Sequence, residues 1–354
     1  MRSGTAAETC RLRRALAGLA CAAVLLCLSG CETPEFVAHS YYVNEPTSWR
    51  SLQKHGRQLG LVSPDWFVVE ESGRLESKVD PKVVEWARAG GVPLMPLVVN
   101  RDFRSEVAAA VLASEGRRGE VVEQLVRAAA EHDFAGLVVD FERVPAAQRD
   151  NLTRFVAALA SGLRRGGRRL GIAVHPPLLP ARAPDSQRWV ANEDAFAFDL
   201  KALARHADFI SLMAYDMHYQ AGDPGPIASL PWVEACLQRT LKFVPRQKLL
   251  LGVPFYYRHW SGPKVNEGTY AQAVELAEKT QARIETHPFH REKTFTFRNG
   301  EGANQVWFSD ADAVADRIAL ARRYRLRGFS AWRLGQEDPA LWTATISQLS
   351  ASRR

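Results

Sequence analysis

Cysteine is scarce in this chain and poorly placed for cross-linking. Of five cysteines in 354 residues, Cys10, Cys21 and Cys27 fall in the N-terminal apolar stretch, which leaves Cys31 and Cys236. A fold held by disulfide staples is therefore excluded. The longest apolar run, Ala15 to Leu28, is too short to span a bilayer comfortably. Charge of one sign is also sparse. The net charge is +7, and residues 1–30 hold four Arg and one Glu, or +3, so only +4 belongs to the rest. So mild a balance does not argue for a nucleic-acid partner. A glycine-rich phosphate loop and a nucleophile elbow are both missing. His287 and His290 lack the acidic company of a metal site, so no metal is expected there. What is present, 46% hydrophobic and 24% charged residues, excludes collagen, coiled coil and disorder. The length suits one α/β barrel with an insertion.

The N-terminus reads as a targeting segment. Arg11, Arg13 and Arg14 precede the apolar run, and Leu28-Ser29-Gly30-Cys31 follows it. This looks like a bacterial lipobox, in which cleavage precedes Cys31 and its thiol is acylated; an ordinary secretory signal is the alternative. Residues 1–30 are thus expected to leave, 31–35 to form a polar tether, and the membrane to be a partner through the lipid on Cys31. Glu32, rather than Asp, tilts the expected location towards the outer membrane. With one thiol lipidated, Cys236 is expected in the core.

From residue 36 short apolar runs alternate with amphipathic helices, which predicts repeated βα units over residues 36–350. The strand candidates are Phe36–Tyr42, Leu59–Phe67, Val92–Val99, Ala135–Phe141, Leu170–Val174, Phe209–Ala214, Leu249–Val253 and Gly328–Trp332. Eight near-continuous apolar runs suit parallel strands buried on both faces and predict a (β/α)8 barrel. Leu152, Phe155, Val156, Leu159 and Leu163 make one helical stripe, with Pro145 suited to the first turn; Val122, Leu125, Val126 and Ala129 make another. After Val253 the regularity breaks. A helix (Tyr270–Ala282) leads to Thr294–Phe297, a turn at Asn299-Gly300 and Val306–Phe308, so residues 257–309 read as a small α+β insertion between strands seven and eight. Arg322, Arg323, Arg325 and Arg327 read as a solvated helix end.

The C-terminal ends of barrel strands build the active site. The fourth run ends in Asp140-Phe141-Glu142, and strand alternation puts the two acids on one face about 6–7 Å apart along the chain. Like charges on one rim raise the pKa of one acid, as a general acid at neutral pH requires. The sixth run ends at Tyr215-Asp216, followed by His218, and the eighth at Trp332, a flat surface for a sugar ring. His175 ends the fifth and is a further lining candidate. Each feature alone also fits a helix cap, a turn or a core residue. An acid pair, a phenol and an aromatic floor on separate strand ends, however, fit glycoside hydrolysis.

At these residues the sequence resembles glycoside hydrolase family 18, in the branch of bacterial cell-wall N-acetylglucosaminidases related to spore-cortex-lytic enzymes. The landmarks are Leu-Val-Val-Asp-Phe-Glu (137–142), Met-Ala-Tyr-Asp (213–216), Pro-Gly-Pro-Ile-Ala-Ser-Leu-Pro-Trp-Val (224–233), Leu-Gly-Val-Pro-Phe-Tyr (251–256) and Ala-Trp-Arg-Leu-Gly-Gln-Glu-Asp (331–338). The resemblance implies substrate-assisted, retaining hydrolysis of glycan containing N-acetylglucosamine, chitin-like or peptidoglycan, by a monomer without cofactor. Glu142 is then the acid and base, Asp140 the group orienting the acetamido N–H, and Tyr215 a donor to the acetamido oxygen. Asp216, Trp332, His175 and His218 line the sugar site. The chain departs from the family pattern at Ala135, where Asp is usual, and at Val138, where Asp or Asn is usual beneath Asp140. His175 or Asp216 is therefore expected to control the charge of Asp140. Two alternatives stay open: a glycan-binding barrel without turnover, and a hydrolase of non-acetylated sugar with Asp216 as nucleophile.

Overall fold

The computed structural model describes residues 36–181, 189–219, 224–300 and 302–346. The expected signal, tether and Cys31 lie outside the described residues. Eight parallel strands close on themselves: β1 (Val37–Tyr42), β2 (Leu61–Val69), β3 (Leu97–Asn100), β4 (Gly136–Asp140), β5 (Arg169–Val174), β6 (Phe209–Leu212), β7 (Leu249–Pro254) and β8 (Gly328–Trp332). Closure is direct, because β1 pairs with both β2 and β8 in parallel. Helices pack on the outside, and the strands between are buried on both faces, as their continuous apolar runs require. The architecture is the expected (β/α)8 barrel with an α+β insertion before the last strand.

Strand three differs from its expected span, Val92–Val99. Pro93 and Pro96 cannot donate to the ladder, so Val92–Pro96 touches β2 only through a bridge at Val62 and Leu94, and regular strand begins at Leu97. The stripe of helix Arg149–Arg165 is buried throughout, with its helical turns starting after a short turn at Ala146–Gln148 rather than at Pro145. Helix Glu115–Glu131 instead buries Val121, Leu125 and Ala129, and leaves Val122 and Val126 half-buried against helix Arg149–Arg165. Gly162 permits that approach, since a Cβ there would sit 2.6 Å from the Val126 side chain. Of the arginine run, Arg322, Arg323 and Arg325 are exposed, as expected of a solvated helix end, with Arg323 pairing at the surface with Glu234; Arg327 differs, being half-buried over the Phe209 ring at 5.9 Å.

The insertion is a five-stranded antiparallel sheet in the order Lys264–Thr269, Tyr256–Ser261, Gly302–Phe308, Lys293–Asn299, Glu285–Thr286, covered by helix Tyr270–Thr280. Alternation in the hairpin turns Phe295 inward to join Val306, Phe308, Ala273 and Ala277 in a separate small core. The insertion is tied to the barrel by a fully buried ion pair. Glu292 accepts the Ala228 N–H and stands 3.6 Å from Arg317 on helix Ala311–Arg323, while Arg317 donates to the carbonyls of Ala313, Arg291 and Ala228. His287 and His290 lie beside this junction, with His290 bonded to Ser229 and both rings against Trp307.

Candidate active site

Glu142, His175, Met213, Tyr215 and Asp216 line one cleft at the C-terminal mouth of the barrel, with Arg143, Asn192, Asp194 and Tyr219 around its edge. Three strand ends, those of β4, β5 and β6, therefore supply one site. Asp140, the last residue of β4, is buried beneath the cleft, and its Oδ1 has no hydrogen-bond partner among the described residues. Burial, then the charges of Glu142 and Asp65, holds its carboxyl well above the usual range.

Glu142 stands just past the strand, where the ladder no longer fixes the chain. Asn100, at the tip of β3, fixes it instead: the Glu142 N–H donates to Asn100 Oδ1 at 2.9 Å and Asn100 Nδ2 donates to the Glu142 carbonyl at 3.2 Å. The carboxyl is pushed up to about 7 by burial first, then by Asp216, with Arg143 opposing and Asp194 adding. At neutral pH roughly half of such a group carries a proton, as a group that must both donate and accept one requires.

Tyr215 packs its ring over Gly252 of β7. A Cβ at Gly252 would lie 2.9 Å from that ring and 2.3 Å from the Leu212 carbonyl, so the bare backbone makes the seat for the phenol. Burial raises the Tyr215 hydroxyl well above its ordinary value, which keeps it a neutral donor. Asp216, at φ 59°, turns back to accept from Tyr256 Oη at 2.6 Å and from Arg258 Nε and Nη2 at 2.9 and 2.7 Å. Both partners come from the first strand of the insertion, so the insertion braces the cleft.

His175 lines the cleft beside Phe198, its Nε2 has no hydrogen-bond partner among the described residues, and burial lowers its pKa, which favours the neutral ring. Trp332 is half-buried and leans on Tyr41 at 5.4 Å, and Tyr41 is in turn bonded to Ser211 at 2.8 Å. Trp332 thus sits at the tip of β8, beside Tyr41 at the mouth of the barrel. The His218 ring packs against Gly225 on the side of His290. The expectation that His175 or Asp216 governs Asp140 is corrected too: the charges acting on Asp140 are those of Glu142 and Asp65. Asn100, Tyr41 and Arg258 escape the sequence reading because each reaches the site from a separate segment, and Tyr256 appears there only as the end of a landmark, with no role. Only the position of Asn100 at a strand tip was a usable signal.

Residues 104–337 match the family described as glycosyl hydrolases family 18. The chain belongs to that family. It is a glycosidase, and its relatives agree. The uncharacterized glycosylase YvbX of Bacillus subtilis is 24% identical over 314 residues, covering 86% of this chain and 89% of that protein. The cortical fragment-lytic enzyme of the same species is 25% identical, covering 84% and 68%. A crystal structure of a chitinase from Chromobacterium violaceum superposes with a TM-score of 0.79 at 25% identity, over 90% of this chain and 100% of that one. Among the described residues of this family 18 barrel, no three His, Cys, Asp or Glu side chains are grouped to hold a metal.

Proposed function

We propose that this family 18 glycosidase cleaves β-1,4 bonds beside N-acetylglucosamine in peptidoglycan or a chitin-like glycan, with retention and with the sugar's own amide as nucleophile. The observation that carries the reading is Glu142: a half-buried acid, raised to about 7, anchored at both backbone groups and sharing its cleft with Tyr215. As acid, Glu142 gives its proton to the glycosidic oxygen while the bond from that oxygen to the anomeric carbon breaks. The acetamido oxygen closes on the anomeric carbon and an oxazolinium ring forms, with Asp140 facing the ring N–H and the Tyr215 hydroxyl donating to the amide oxygen before attack. Glu142, now a carboxylate, takes a proton from water, the water oxygen attacks the anomeric carbon, and the ring opens. Two inversions leave the configuration unchanged. Trp332 would carry the sugar face beside Tyr41, and His175 would border the acetamido side.

The tie between Asp216 and the Tyr256–Arg258 pair supports a scaffold role for Asp216 over that of a free nucleophile. We further propose that residues 1–30 are a lipoprotein signal and that Cys31 carries the lipid. A monomeric barrel would then be held at the cell envelope, at the outer membrane by the reading of Glu32. The test uses the mature chain on peptidoglycan and on chitooligosaccharides. Release of reducing ends by the wild type and none by Glu142→Gln is the expected result. Binding without release by the wild type would favour the glycan-binding alternative.

A further inference from the structure

Two buried carboxylate oxygens in the barrel mouth lack a hydrogen-bond partner among the described residues: Asp140 Oδ1 and Asp65 Oδ1. Asp65 lies on β2, in a stretch where alternation can be followed. Leu61 packs in the barrel interior with Tyr41 and Val138, and Ser63 meets the buried His39 ring at 2.8 Å, so Asp65, the next of the series, also turns inward. A bulge between Asp65 and Phe67 ends the series there.

The register places Asp65 and Asp140 at one height. Asp65 pairs with Leu97 on β3; one residue on, Val98 pairs with Val139 on β4; one residue further is Asp140. A closed eight-stranded barrel with tilted strands climbs one residue per strand at constant height, and its interior layers take side chains from alternate strands. The even strands therefore bring Asp65 and Asp140 to the same layer, with Met213 and Trp332 completing it. The position below Asp140 on its own strand is Val138, fully buried and unable to answer a carboxyl.

We propose that Asp65 is a positioning residue for Asp140: its negative charge, one place round the same layer, keeps Asp140 a neutral acid until a sugar amide is bound. The inference rests on the reading of Asp140 given above. The charged and titratable groups facing Asp140 are Glu142 from its own segment, Asp65 from β2, Tyr41 from β1 and Tyr215 from the end of β6. Burial, the larger effect, raises the Asp65 carboxyl above its ordinary value, and Lys78 opposes it by favouring the ionised form. Between the two carboxyls one negative charge is held in an apolar layer, where two would repel. In the empty site Asp65 bears it. When positive charge develops on the acetamido group, the pair offers that one charge to the ring without a second uncompensated ion beside Glu142.

The test is a titration of the Asp140 side chain in protein carrying ¹³C-labelled aspartate, assigned with Asp140→Asn, in wild type, Asp65→Asn and Asp65→Ala. Circular dichroism and melting establish that each variant is folded. The proposal predicts that the Asp140 midpoint falls by about one pH unit or more in both Asp65 variants, a tenfold change in proton affinity. The acidic limb of kcat/KM on chitooligosaccharides should move down with it while the basic limb stays. An unchanged Asp140 midpoint overturns the proposal, even if the variants lose stability or rate. A shifted midpoint with an unmoved acidic limb overturns the positioning role. Should the wild type turn over no glycan, the reading of the site fails, and the titration still decides the link between the two acids.

Discussion

At the scale of single residues, the chemistry depends on one acid being held in a half-protonated state. The Glu142 carboxyl sits at about 7 in the folded chain, against an ordinary 4.5. Its acid form is needed to protonate the leaving oxygen, so kcat/KM should fall as pH rises above about 7, and a pH–rate profile checks this. The same shift has a stability consequence. A folded pKa above the unfolded one means that the stabilisation is fully present below about 4.5 and is lost as pH climbs through about 7. Melting curves of wild type and Glu142→Gln should therefore converge at low pH and diverge towards pH 7, with the wild type losing ground. Asn100→Ala removes both tethers on the Glu142 backbone. A fall in kcat of about tenfold to a hundredfold with little change in KM is expected, because a displaced acid loses transition-state contact before ground-state binding.

At the scale of elements, the fold brings side chains together by making room for them. Gly252→Ala would push a methyl into the Tyr215 ring and the Leu212 carbonyl, so it should cost about 1–3 kcal/mol in denaturant melts and lower kcat together. Glu292→Ala would leave the Arg317 guanidinium buried without its carboxylate, at a cost of about 3–5 kcal/mol. The loss should appear as earlier unfolding in a thermal melt, since the pair joins the insertion to helix Ala311–Arg323. These features also mark what the sequence could reveal. Strand runs were legible because parallel strands buried on both faces spell themselves out in continuous apolar residues. The helix Arg149–Arg165 was legible from its stripe, and the hairpin Lys293–Phe308 from the alternation of Thr294 to Phe297. Strand three was misplaced because its apolar run contains Pro93 and Pro96, which bury well but cannot pair.

At the scale of the whole molecule, the site is a product of closure. Asp140, Glu142, Tyr215 and Asp216 were readable because each directly follows an apolar strand run. Asn100, Tyr41, Arg258 and Asp65 were not, since only the barrel register or the fold of the insertion brings them to the mouth. The place of Trp332 against Tyr41 is equally a matter of closure, because it depends on β8 meeting β1. The central claim is that the barrel supplies an acid and a frame, while the sugar's own amide supplies the nucleophile. The direct measurement compares hydrolysis of chitooligosaccharides with that of de-N-acetylated oligosaccharides of the same length and linkage. The account predicts turnover only where the sugar on the non-reducing side of the broken bond is acetylated; equal rates on both substrates would contradict it.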